Sequence, residues 1–236
     1  MSNGLDPYVA EIMKRNYQII DVCHTVEDGM ITYKGLPAPV VRDHLTRAAS
    51  KQIYADGTEF QIGKIEMVAN TGTYLDSPFH RYADGTDLAG LDLYSLANLD
   101  GIVVRRVDAP VRPISLEAVA GLALKGKAVL FHTGWDRHWR TEAYSDGNHP
   151  FLNGETAEYL AQSGAALVGI DSYNIDNTED GNRPAHSILL REGIPIVEHL
   201  CGLGELPNDN FKFFAVPVKV KGMGTFPVRA FALMEG

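Results

Sequence analysis

Cysteine is scarce in this 236-residue chain: Cys23 and Cys201 stand far apart, outside any CxxC spacing. A disulfide framework is not expected, and two free thiols in a reducing cytoplasm are. No apolar run approaches the roughly 18 residues of a membrane span. The N-terminal stretch MSNGLDPYVAEIMKRNYQ holds no continuous apolar h-region, so neither a secretory leader nor a membrane partner is expected, and the location is expected to be cytoplasmic. Basic runs are missing, and the net charge is −9. Nucleic acid is therefore not an expected partner, because phosphate binding needs clustered Lys and Arg. No serine lies in a G-x-S-x-G setting, and Gly-Lys-Gly at 125–127 is not a phosphate loop. The acidic loop from Asp171 to Asp180 lacks the EF-hand pattern and reads as solvated.

What is present is ordinary globular composition, 45% hydrophobic and 22% charged, with enough chain for one sizeable core. Asp6-Pro7 caps a helix with Val9, Ile12 and Met13 on one face, giving an N-terminal helical extension over 1–16 and one domain over 17–236. Strands are expected over 17–22, 60–69, 102–107, 128–132, 166–170 and 194–197. The segments 211–219 and 226–233 read as a closing hairpin through Gly222 and Gly224. The apolar phase of 60–69 changes at Gly63, which suggests a bulge. Helices are expected over 115–124, 156–162 and 184–191. Residues 26–58 and 136–153 read as loop, with Tyr33 and Leu36 as pocket-facing groups. Helices alternating with strands indicate an α/β or mixed-sheet enzyme.

Chemistry concentrates in Asn70-Thr-Gly-Thr-Tyr-Leu-Asp-Ser-Pro-Phe-His80, directly after a strand. Polar groups this dense suit a site on the rim of a scaffold. Asp76 could bind a metal or orient a base, and His80 could be that base; a turn-closing Asp and a backbone-bonded His are the plain alternative. His186 opens a helix. Glu198 ends the apolar strand Ile-Pro-Ile-Val-Glu, where a buried carboxylate needs a cation, a metal or N–H partners. Asp76, His186 and Glu198 together would suit zinc or manganese, if they meet. His132, His138 and His149 read as packing or surface histidines.

At these residues the chain resembles the cyclase family of metal-dependent hydrolases, which includes bacterial kynurenine formamidase and isatin hydrolase. The family hallmark is His-x-Gly-Thr-His-x-Asp-x-Pro-x-His, and Gly72, Thr73, Asp76, Pro78 and His80 match it in register. Ile19-Ile20-Asp21, Met30 to Gly35, Phe131 to Trp135, Gly169-Ile-Asp171, Ala185-His186 and Val197 to Leu200 follow in family order. The resemblance covers roughly residues 17 to 235 and implies a mixed α/β single domain. Its central mixed sheet is barrel-like and flanked by helices, of the swivelling β/β/α type. It implies a two-metal site, with His80 as acid/base and His186 and Glu198 among the ligands. Here Asn70 and Tyr74 replace the two hallmark histidines, so one metal position is lost. The expected cofactor is one zinc or manganese per chain on Asp76, His186 and Glu198, or none.

Three readings follow. The first is a metal-assisted hydrolase of an aryl formamide, lactam or lactone, with His80, Tyr74 and Asp76 catalytic and Tyr33, Asn70, Phe79 and Trp135 binding substrate. The second is a metal-independent lyase, dehydratase or cyclase using Tyr74 and His80. The third is a non-catalytic binder. The expected partners are a small-molecule substrate and further copies of the chain, as homodimer or homotetramer.

Overall fold

The computed structural model describes residues 17–109 and 111–235; the helical extension expected over 1–16 lies outside them. Thirteen strands run in chain order as β1 Tyr17–Asp21, β2 Val40–Leu45, β3 Ile62–Glu66, β4 Tyr74–Asp76, β5 Leu99–Arg105, β6 Pro113–Ile114 and β7 Lys127–His132, then β8 Phe151–Leu152, β9 Leu167–Ile170, β10 Ile196–Glu198, β11 Lys212–Phe214, β12 Thr225–Pro227 and β13 Phe231–Glu235. The α-helices are α1 Arg47–Ser50, α2 Gly154–Gln162 and α3 Pro184–Arg191.

Nine strands form one sheet in the order β1-β13-β11-β5-β7-β9-β10-β4-β12. The centre, β5-β7-β9-β10, is parallel, and the flanks are antiparallel. Near-continuous apolar sequence suits strands covered on both faces. In β7, Ala128 and Leu130 join one buried cluster with Leu75, Val197 and Phe213, while Val129 and Phe131 join a second. The second cluster takes Leu160 from α2 and Leu189 and Leu190 from α3. Side chains alternate across the pleat, so the helices cover one face and the sheet's own curl covers the other.

The curl is visible in the connections. β12 and β13 are consecutive in sequence yet stand near opposite ends of the sheet, joined through residues 228–230. Val228 N–H donates to Thr73 O on one side, and Val22 N–H donates to Ala230 O on the other. Cys23 bridges Leu200. The result is a mixed half-barrel with few helices. The expected closing hairpin holds only in its outer part: β13 pairs antiparallel with β11, and also with β1, while β12 departs to pair with β4. The reason is Gly224, whose missing side chain lets the chain lie against His80; a Cβ there would sit 2.4 Å from His80 N.

Other expectations shift locally. The segment 115–124 makes only a one-turn helix at Leu116–Ala118, because the chain turns at Gly121 with φ 79°. Residues 26–58 contain β2 and α1, and β2 pairs with β3 as a separate two-stranded ribbon. The expected bulge exists, but on β2: Asp43 faces Gly63, Leu45 faces Ile62, and His44 is the extra residue. Both cysteines are free thiols. Among the described residues, no helix is long and apolar enough to cross a membrane.

Candidate active site

β4 and β10 carry the site. They pair antiparallel, with Tyr74 opposite Glu198 and Asp76 opposite Ile196. Tyr74 and Asp76 are two residues apart in a strand and share a face. Gly72, at φ 67°, delivers the chain into β4, and its N–H donates to Thr32 Oγ1. After β4, Pro78 starts a one-turn helix over Pro78–His80 that folds His80 back beside Asp76, Nδ1 to Oδ1 3.6 Å. Pro184 opens α3, which places His186 in its first turn.

Asp76, His186 and Glu198 meet. His186 Nε2 lies 3.6 Å from Asp76 Oδ2 and 3.8 Å from Glu198 Oε1. Ligand atoms of Asp76, His80 and His186 also lie within 4.8 Å of one another. Each remaining atom of the carboxylates is occupied. Thr225 Oγ1 donates to Asp76 Oδ1, Tyr74 OH donates to Glu198 Oε2 at 2.7 Å, and Ile175 N–H donates to Glu198 Oε1 at 2.6 Å. Asp76 Oδ2 alone is buried with no hydrogen-bond partner. The two residues standing in place of the hallmark histidines form one chain, Asn70 to Tyr74 to Glu198.

Two contributors escaped the sequence reading. Asp176 lies in the loop read as solvated, yet it is fully buried. Its Oδ2 accepts from His186 Nδ1 at 2.7 Å, and its two oxygens take the N–H groups of Ala185 and His186. That contact puts a proton on Nδ1 and turns Nε2 toward Asp76 and Glu198. Thr225 touches both Asp76 and His80, with Oγ1 2.8 Å from His80 Nδ1. A hydroxyl has one proton to give. With that proton given to Asp76, His80 must donate from Nδ1, and in the neutral imidazole the lone pair is then on Nε2. Asp176 could have been suspected from its place ten residues before His186; Thr225, in a glycine-rich turn, carried no signal.

The electrostatics follow from burial among acids. Burial opposes charge on His186, but Glu198, then Asp176 and Asp76, outweigh it and push its pKa up to about 10. Burial lifts Glu198 to about 7 against the pull of His186. Tyr74 is raised well above its ordinary value by burial, then by the charges of Glu198 and Asp76. The site therefore demands a positive charge at the point where the three groups converge.

A cavity of about 330 Å³ opens onto this point. Asn70, Tyr74, His80, His186 and Glu198 line it together with Tyr33, Leu36, Arg81, Asn174 and Arg183. Tyr33 stacks on Tyr173, ring centres 4.6 Å apart. Phe79 and Trp135, expected to touch substrate, are not among the lining residues; the Trp135 indole donates to Tyr144 O instead. A larger cleft of about 470 Å³, along residues 27–32, Lys34 and residues 140–145, carries none of the expected site residues.

The sequence matches the family described as "Putative cyclase" over residues 20–177. Curated relatives include the kynurenine formamidases of Salinibacter ruber, 31% identical over 74% of this chain and 81% of that protein, and of Bacillus cytotoxicus, 29% identical over 72% and 78%. Among solved structures, an isatin hydrolase bound to the product analogue thioisatinate superposes with TM-score 0.79 at 20% identity, covering 97% of both chains. Isatin hydrolase A from Labrenzia aggregata gives 0.80 at 18% identity, over 97% of this chain and 98% of that one. The chain belongs to the cyclase family.

Proposed function

We propose that this member of the cyclase family is a metal-assisted hydrolase that opens the C–N bond of a small aryl formamide or lactam, or the corresponding bond of a lactone. The amide hydrolases among its relatives support the reaction class. The observation that carries the reading is the convergence of Asp76, His186 and Glu198 at the inner end of the cavity.

These residues fit a divalent metal. Asp76 Oδ2 is a buried, unpartnered oxygen facing an imidazole nitrogen whose tautomer a second carboxylate fixes. One imidazole and two carboxylates make an N/O/O set suited to zinc or manganese. The second position of a two-metal site does not fit, because Asn70 and Tyr74 spend their polar atoms on each other and on Glu198. One metal on Asp76, His186 and Glu198 would polarise the scissile carbonyl and acidify water.

The chain's own residues supply the proton traffic. As water oxygen bonds to the carbonyl carbon, the Nε2 lone pair of His80 takes its proton. Collapse breaks the C–N bond, and His80 returns that proton to the leaving nitrogen, giving an amine and a carboxylic acid, which then ionises to solvent. Thr225 holds His80 in the required tautomer. Tyr74 serves by fixing Glu198. This also weighs against the metal-independent reading, since a phenol whose proton is engaged with a buried carboxylate is a poor acid.

The test is formanilide turnover by protein purified without chelator, with metal measured in the same sample. His80→Ala should lower kcat by about 10²- to 10⁴-fold at unchanged metal content. Undiminished turnover in that variant would falsify the assignment of His80.

A further inference from the structure

Two side chains of the cavity have no part in this chemistry, Arg81 and Arg183. Arg42, Arg112, Arg137, Arg140 and Arg229 each pair with a carboxylate. Among the described residues, Arg47, Arg81, Arg105, Arg106, Arg183 and Arg191 do not, and of these Arg81 and Arg183 line the cavity, although the chain carries a net charge of −9.

The backbone brings both to one side of the cavity. Arg81 directly follows His80 at the end of its helical turn. Its Nε donates to Ser187 Oγ at 3.3 Å, and Ser187 N–H donates to Arg183 O at 2.9 Å, one helical turn away. Arg183 stands at the N-cap of α3 with φ 50°, a conformation uncommon for a non-glycine residue. Asn, Asp, Ser or Thr would ordinarily stand there and cap the helix. Asp176 already takes the first N–H groups of α3, so position 183 is released from capping and can carry a long cation. Arg183 Nη1 donates to Asn177 O at 3.1 Å, and the side chain also meets Tyr33. A guanidinium has about five N–H donors, so both arginines keep donors in reserve.

We propose that the substrate carries a carboxylate, taken by Arg81 and Arg183, and held away from the scissile bond by a planar ring lying along Tyr33. Arginine's planar fork matches a carboxylate. The inner end of the cavity, with Glu198 and the buried Asp76, repels the same group, so the arrangement also sets the direction in which substrate enters. This deepens the hydrolase reading and rests on it.

The experiment compares formanilide with 3- and 4-formamidobenzoate as substrates, and aniline with 3- and 4-aminobenzoate as calorimetric ligands. The wild-type protein should prefer a carboxylated substrate by about tenfold or more in kcat/KM, the size of one hydrogen bond to a charged group. In Arg81→Gln and Arg183→Gln that ratio should fall toward one, and Arg183→Lys should retain part of it. Thermal midpoints separate this from misfolding. Formanilide turnover with no carboxylate preference, or a preference that survives both Gln variants, overturns the proposal and leaves the hydrolase reading standing. Arginine-dependent aminobenzoate binding with no turnover of any formamide supports the anion site and overturns the hydrolase reading.

Discussion

Glu198 and His199 are consecutive residues that face opposite chemistries. Glu198 turns to the acidic side, where His186 sits among Asp76, Asp176 and Glu198. His199 turns to an aromatic side. Its Nδ1 is hydrogen-bonded to Tyr144 OH at 2.7 Å, and the rings of Tyr74, Trp139 and Tyr173 lie 5.1, 5.9 and 6.0 Å away. His24 belongs there too, stacked on Trp139 at 3.9 Å. Both sides bury histidine. Carboxylates hold His186 up at about 10; burial among rings takes His199 down to about 3 and His24 to about 4. Surroundings therefore decide the use. The acidic side is built to receive a cation, and the aromatic side is neutral packing that props Tyr74 from behind.

The largest expected effect breaks this contrast with acid. His24 and His199 are depressed below the usual ~6.5, so the unfolded chain binds their protons first as pH falls. Their contribution is fully present above pH 6.5 and is lost as pH falls through 4 and 3. The slope is at most about 2.7 kcal/mol per pH unit for the pair. Glu198 and Asp171, both raised to about 7 by burial, protonate in the folded state and oppose that loss between pH 7 and about 4.5. His24→Phe, which keeps the stack on Trp139, should therefore gain in urea midpoint relative to the wild type as pH falls from 7 to 4. A difference between the two proteins that does not change with pH would mean His24 is not held neutral.

Next in size is Thr225, which links Asp76 to His80. Thr225→Val removes the hydroxyl that assigns the His80 tautomer. The expected result is a fall of about 10²-fold in kcat, with the hydroxyl of Thr225→Ser restoring most of it. Equal losses in Val and Ser would point to packing rather than to the proton path.

The sequence showed the acidic side better than the aromatic one. Asp76, His80, His186 and Glu198 end apolar strands or open helices, where an unpaired polar group needs a reason, and the structure brings all four together. The central strands were legible for a related cause: buried parallel strands are short apolar runs bounded by turns. The partners that tune the site were not. Thr225 acts only because Gly224 lets its segment lie against His80, and no local pattern encodes a contact across 145 residues. The aromatic side was missed because His24, Trp139, Tyr144 and His199 come from separate segments. The closing hairpin was half legible: 212–214 does pair antiparallel with 231–233, but 225–227 leaves to pair with β4, because period and turn residues specify strands and not every partner.

A smaller effect sharpens the acidic side. Asp176→Asn keeps the shape but weakens the hold on His186 Nδ1–H. Partners of this kind are worth about 10- to 100-fold in metal affinity. Zinc titrated against a chelating dye should show that loss, while Asp180→Asn, at a half-buried position of the same loop away from His186, should show none. Unchanged affinity in Asp176→Asn would detach Asp176 from the metal site.

The last effect, of similar size, falls on the residue that touches both sides. Tyr74 gives its hydroxyl to Glu198 and its ring to His199, 5.1 Å away. Tyr74→Phe keeps the ring and removes the proton donor, so the aromatic side should not notice. Glu198 Oε2 loses its partner at a buried position, which costs about 1.5–3 kcal/mol in the metal-free protein. Burial is the main force raising Glu198, and Tyr74 opposes it, so the variant's Glu198 should be harder to ionise. Metal binding needs the ionised carboxylate, and affinity should therefore fall more at pH 6 than at pH 8. A uniform loss at both values would show that Tyr74 acts by shape. Tyr74→His offers the opposite excursion: it restores an imidazole at the hallmark position but takes the hydroxyl from Glu198. A second metal equivalent in that variant would show that Tyr74 had been filling a ligand position, and one equivalent or none would show that Asn70 must change with it.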